Sequence, residues 1–72
     1  MSKPDRWVEF DDVTCTRETD AALLCTFPEV DEALWIPLSQ CDLDAGNIHG
    51  AGDHGKLVIT RWIATQKDLL ED

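Results

Sequence analysis

The pattern that most limits the fold of this chain is a change of parity in its first strand-forming segment. In "RWVEFDDVTCT" (residues 6–16) the apolar residues Val8 and Phe10 stand at even positions, whereas Val13 and Cys15 stand at odd ones. Side chains of a strand alternate between its two faces, so one regular strand cannot turn all four inward. An extra residue has to intervene, and Asp11-Asp12 is the place for a bulge or a tight turn.

The remaining segments read as short strands followed by one helix. "RETD" (17–20) is a turn. "AALLCTF" (21–27) sets Leu23, Cys25 and Phe27 against Ala22, Leu24 and Thr26, and two partly apolar faces indicate a central strand. Pro28 holds Phe27 extended and opens the turn "PEVDE" (28–32). "ALWIPL" (33–38) puts Leu34, Ile36 and Leu38 on one face. Pro37 offers no N–H, which marks an edge strand or a strand end. Ser39 is placed to cap a short helical turn in "SQCDLD". "AGNIHGAGDHG" (45–55) holds all four glycines and reads as a loop, the most mobile part of the chain. "KLVIT" (56–60) is the fourth strand. Thr60 then caps "RWIATQKDLL", whose stripe of Trp62, Ile63, Gln66, Leu69 and Leu70 can pack on a sheet. Residues 1–5 read as a frayed start.

With 72 residues there is room for one sheet and one or two helices, and little for a deep cleft. The expected architecture is a single α+β domain over residues 1–72: a small, twisted, antiparallel β-sheet of about four strands with a C-terminal α-helix packed on one face. A barrel-like closure of the same strands is the alternative.

Charge is the second strong feature. Fifteen acids against six bases give a net charge of -9, which argues against direct binding to nucleic acid or to an anionic membrane. No Lys or Arg occurs between Arg17 and Lys56, an interval that carries Glu18, Asp20, Glu29, Asp31, Glu32, Asp42, Asp44 and Asp53. Such an interval is either a solvated surface that aids solubility or a face directed at a basic partner. No apolar run reaches the ~20 residues needed to span a membrane, and residues 1–20 lack the apolar centre of a signal peptide. Three cysteines in such a chain read as reduced thiols used as small core residues.

Catalytic and cofactor chemistry find little support. His49, His54, Cys41 and Asp53 can be written as a zinc set, but the close ligand pairs of structural zinc sites are missing, so no metal or cofactor is expected. Cys41 and His49 can be written as a nucleophile and its base, but nothing in the sequence brings them together. "GAGDHGK" (50–56) lacks the Ser or Thr of a phosphate loop, since residue 57 is Leu, and a strand follows it instead of a helix. Trp7 and Trp35 fall opposite Val8/Phe10 and Leu34/Ile36. They belong either in a small core or half-exposed as anchors for a partner. Trp62 is expected in the core.

"LWIPLSQ" (34–40) followed by "GDHGKLVITRWIATQKDL" (52–69) resembles a group of small proteins of phages and prophages, in which W-[IV]-P-x-S-Q precedes G-D-x-G-x-L-V-[IV] and a terminal helix. "VEFDDVTCTRETDAALLCTF" (8–27) is similar to their N-terminal half. One departure is Leu38, where the pattern has Lys. The resemblance implies a phage origin more than an activity. In size and charge the chain is also similar to anti-CRISPR inhibitors, some of which act as DNA mimics on type I surveillance complexes. The expectation is therefore a monomeric, non-enzymatic inhibitor in the cytoplasm of a bacterial host. Its partner would be a basic nucleic-acid-binding complex, a type I CRISPR effector above all. Glu29, Asp31, Glu32, Asp42 and Asp44 would be the main contact charges, with Glu18, Asp20, Asp11, Asp12 and Asp53 secondary. The alternative is a replication or recombination accessory protein that binds a helicase or a single-strand-binding protein.

Overall fold

The structure, a computed structural model, describes residues 6–69. Four antiparallel strands, β1 (Trp7–Glu18), β2 (Ala22–Thr26), β3 (Leu34–Pro37) and β4 (His54–Thr60), form one sheet in the order β3-β2-β1-β4. A 3-10 turn (Leu38–Gln40) follows β3, and helix α1 (Arg61–Gln66), the one α-helix among the described residues, follows β4 directly. The expected α+β arrangement is thus present. The frayed start expected over residues 1–5 lies outside the described residues, as does Leu70.

The parity change is resolved where the sequence places it. Phe10 faces Leu57 and Val13 faces Gly55, so β1 advances three residues while β4 advances two. Asp12 takes φ 60°, a left-handed conformation that lets one residue be absorbed without ending the strand. Val13 and Cys15 are then fully buried, and Val8 and Phe10 pack against the same core. A second irregularity follows at Thr16, because Cys15 faces Cys25 but Arg17 faces Leu24.

These bulges let β1 bend. At one end of the sheet the Leu38 N–H bonds to the Ala21 carbonyl at 2.8 Å. Three residues later Cys41 pairs with Ile59, which itself faces Val8 near the start of β1. A straight strand would hold Val8 and Glu18 roughly 33 Å apart at ~3.3 Å per residue. Leu38 and Cys41 can be separated by no more than about 10 Å. β1 is therefore bent, with its first half paired to β4 and its second half to β2. The sheet stays open, since among the described residues its edge strands β3 and β4 do not pair with each other as a barrel would require. One turn of 3-10 helix bridges them, and no Ser39 side chain caps it: Pro37 occupies the N-cap, since Ser39 lies inside the turn.

Each edge is treated differently. The bond from Leu38 to Ala21 fixes the alternation, so Trp35 and Pro37 turn their backbone groups away from β2. Pro37 has no N–H to present there, which blunts the edge that the sequence assigns to it. The outer edge of β4 is covered by the segment that follows the 3-10 turn. Asp42 donates its N–H to the Val58 carbonyl (2.9 Å) and Asn47 to that of Lys56 (2.8 Å). At Gly46 a Cβ would lie 2.6 Å from the Lys56 carbonyl oxygen, so only glycine passes.

The glycine-rich segment is accordingly anchored rather than the loosest part of the chain. It ends at Asp53, since β4 begins at His54 and not at Lys56. Its one large apolar residue, Ile48, is buried in the core. Gly52 donates to the Cys15 carbonyl (2.8 Å) and Cys15 to that of Asp53 (2.9 Å), which ties the segment to β1.

Helix α1 starts as its sequence requires. Thr60 Oγ1 accepts from the Ile63 N–H at 3.2 Å, and its own hydroxyl donates to Gln40 Oε1 at 2.7 Å. The helix is shorter than expected. Asp68 adopts φ 62°, Leu69 donates to the Ala64 carbonyl and Asp68 to that of Thr65, the bond pattern of a helix closed by a left-handed residue. Ile63 and Ala64 face the core. Trp62, expected in the core, is instead 60% exposed, because the stripe that placed it there assumed a helix continuing to Leu70.

The left-handed residue gives a direct test. Asp12→Gly is expected to leave stability nearly unchanged. Asp12→Val, a β-branched residue forced into the same conformation, should cost about 1–2 kcal/mol or more. Urea unfolding of the two variants checks this, and equal midpoints would contradict the bulge.

Candidate functional site

The acids of the base-free interval separate into distinct places. Asp20 is exposed in the turn between β1 and β2, at one end of the sheet. Glu29, Asp31 and Glu32 are exposed in the connection from β2 to β3, at the other end. Asp42, half-buried, and Asp44, exposed, lie along the outer edge of β4 beside Trp7, Cys41 and Leu43. Among the described residues none of Glu29, Asp31, Glu32, Asp42 and Asp44 is ion-paired to Lys or Arg.

Three of the expected contact charges accept backbone N–H groups, and Asp42 Oδ1 is one of them, bonded to the Ala45 N–H at 3.3 Å. Glu18 Oε1 accepts from the Ala51 N–H at 2.8 Å. Asp53 Oδ2 accepts from the N–H groups of His49 (2.9 Å) and Gly50 (3.1 Å). Glu18 and Asp53 hold the glycine-rich segment in place. Carboxylate acceptors of backbone N–H groups make comparatively strong bonds, which suits them to this task.

The bend of β1 brings another set together. Asp11 and Asp12 at the bulge, Glu9 just before it and Glu29 after β2 rim a groove of about 510 Å³. Its floor is apolar: Phe10, Phe27, Pro28 and Leu69. Phe10 and Phe27 meet edge to face with ring centroids 5.5 Å apart and planes at 85°. The sequence reading did not include Glu9. Its signal was its position one residue before Phe10, on the strand face opposite the core, beside the segment expected to bulge.

Counter-charge at this rim is slight. Lys56 Nζ stands 4.0 Å from Glu9, and His54 Nε2 stands 3.9 Å from Asp12, both at the outer limit of an ion pair and on exposed groups. Exposed pairs of this kind contribute little. His54 Nδ1 lies 2.7 Å from Thr14 Oγ1, its cross-strand neighbour.

The residues considered for metal or nucleophilic chemistry have separate partners. Cys41 Sγ donates to the Pro37 carbonyl at 3.4 Å, and His49 Nε2 lies 2.8 Å from the Leu43 carbonyl. No group of three His, Cys, Asp or Glu side chains converges as a metal site among the described residues. Burial pushes the Cys41 thiol up to about 11. Burial, with the adjacent Cys15, pushes the Cys25 thiol up to about 12. Burial also raises Cys15. Thiols held in the neutral form are poor nucleophiles near pH 7.

The tryptophans divide. Trp35, across from Leu24 on β2, is 42% exposed, as is Trp62 to a greater extent, while Trp7 is half-buried. No helix among the described residues is long and apolar enough to cross a membrane. Comparison with protein-family models, curated proteins and solved structures finds no match to this chain.

The thiols predict a pH dependence. In the unfolded chain a thiol ionises near 9.0, but in the fold Cys41 and Cys25 keep their protons to about 11 and 12. Above pH 9 the native state thus binds more protons than the unfolded state, and stability falls as pH rises. Alkylation by iodoacetamide at pH 8.5 should be slow in buffer and fast in urea, as following the mass of the protein over time will show.

Proposed function

We propose that this chain is a non-enzymatic, phage-encoded inhibitor that presents carboxylates to a basic nucleic-acid-binding partner in place of nucleic-acid phosphates. It acts in the cytoplasm of a bacterial host, and the target class is the DNA-binding surface of a type I CRISPR effector. The observation that carries this reading is the state of Glu29, Asp31, Glu32, Asp42 and Asp44. All five stand in turns or along a covered edge, without a Lys or Arg partner among the described residues. Apart from the long bond that Asp42 Oδ1 accepts from the Ala45 N–H (3.3 Å), these carboxylates are available to a partner's cations. The likeness to phage proteins and the net charge of -9 support the same reading.

Electrostatics sets the form of the interaction. The domain measures 34 × 25 × 19 Å, whereas charges are screened beyond about 8 Å at physiological salt. A partner therefore meets local groups of carboxylates, and the total charge acts mainly by steering the encounter. An exposed aromatic such as Trp35 supplies residence once contact is made.

Reversal of Asp31, Glu32, Asp42 and Asp44 to Lys should leave the circular dichroism melt near that of the parent, since none of the four is fully buried. Affinity for the purified effector should fall at least about a hundredfold, on the scale by which steering raises association rates. Undiminished inhibition of DNA binding by that variant would sink the proposal. Plaque counts on hosts with and without CRISPR immunity add a second check, with benefit expected on immune hosts alone. Benefit on both hosts would favour the replication or recombination role.

A further inference from the structure

We propose that the groove at the bend of β1 is a docking site for a cationic protein segment in which an arginine adjoins a bulky apolar side chain. The inference rests on the inhibitor reading in one respect: it names a further surface, sharing only Glu29 with the acids above, at which a basic partner is held.

The floor requires an apolar occupant. Phe10 and Leu69 are half-buried, Pro28 is exposed, and Phe27 closes the bottom against Phe10. Groove volumes of several hundred Å³ suit one or two large side chains. The rim requires a cation. Glu9, Asp11, Asp12 and Glu29 face one lysine and one histidine, each at the limit of contact. A divalent metal ion does not meet this demand, because no three of these carboxylates converge on a point. Nucleic acid and anionic lipid are repelled by the same charges.

A guanidinium meets it best. It is planar, weakly hydrated, can fork across two carboxylate oxygens and can lie flat on Pro and Phe surfaces. Its aliphatic stem covers apolar floor while its head stays at the rim. The site is also pre-formed. Asp11 and Asp12 sit on a bulge pinned between β4 and the core, and Glu29 follows Pro28 at the end of β2, so little backbone freedom is lost on binding.

The test uses the intact chain and three synthetic peptides, with the flanking sequence held constant: Arg-Leu-Arg, Lys-Leu-Lys and Arg-Gly-Arg. Amide shifts are followed by NMR during titration. Arg-Leu-Arg should bind tightest and move Glu9–Val13 and Phe27–Glu29, leaving Asp42–Ala45 in place. A variant carrying Glu9→Gln, Asp11→Asn, Asp12→Asn and Glu29→Gln should bind it at least about tenfold more weakly, a loss of that order being usual for removed charge pairs. Asparagine is tolerated at the left-handed position 12, so the bulge survives. Asp42→Asn with Asp44→Asn should bind like the parent. Shifts spread over all acidic segments, parent-like affinity in the groove variant, or Arg-Gly-Arg binding as tightly as Arg-Leu-Arg would overturn the proposal.

The two readings fail separately. Inhibition of the effector without peptide binding in the groove would overturn the groove alone. Peptide binding in the groove without any effect on a CRISPR effector would support the groove and overturn the choice of target.

Discussion

The bend of β1 is the constraint on which the rest of the molecule depends. One strand of twelve residues serves two parts of a curled sheet, and it can do so only because Asp12 accepts a left-handed backbone. Without the extra residue, either Val8 and Phe10 or Val13 and Cys15 would face solvent. The bulge thus settles two matters together: which side chains form the core, and how far the first half of β1 leans over the second. The edge-to-face pair Phe10 and Phe27 fills the corner so produced.

Closure follows from that bend, and so does the fate of the acids. Because the chain passes from β3 to the far edge of β4 in a single 3-10 turn, the segment after it must run along β4. Its backbone donors then need acceptors. Asp53 and Glu18 supply them for His49, Gly50 and Ala51, which gives two carboxylates partners within the fold. Asp11, Asp12 and Glu29, by contrast, are left at the corner with no such donors to serve, and Glu9 joins them.

Most of the fold could be read from local chemistry. The parity conflict at Asp11-Asp12, the missing donor of Pro37 and the cap at Thr60 each allow few structural solutions, and the fold takes the bulge, the edge strand and the cap. The bulge at Thr16 left no trace, because Arg17 and Glu18 beyond it are polar and carry no parity to violate. Trp62 was misplaced because a period of 3.6 says nothing about where a helix stops, and Asp68 is a weaker stop signal than glycine. The glycines of residues 45–55 suggested mobility, while the single Ile48 among them was the better guide. Of the candidate site, exposure of the turn acids was legible. The internal use of Glu18 was not, since its partner Ala51 lies 33 residues away.

The sheet order also has a temporal side. β1 and β2 pair across a short turn and β3 joins β2 next, so these contacts are available early. Trp7 meets Thr60, the most distant pairing in the sheet, and the first half of β1 has no other strand neighbour. During synthesis that half must wait, with Val8 and Phe10 uncovered, until β4 has left the ribosome. The domain can therefore close only when its last strand arrives.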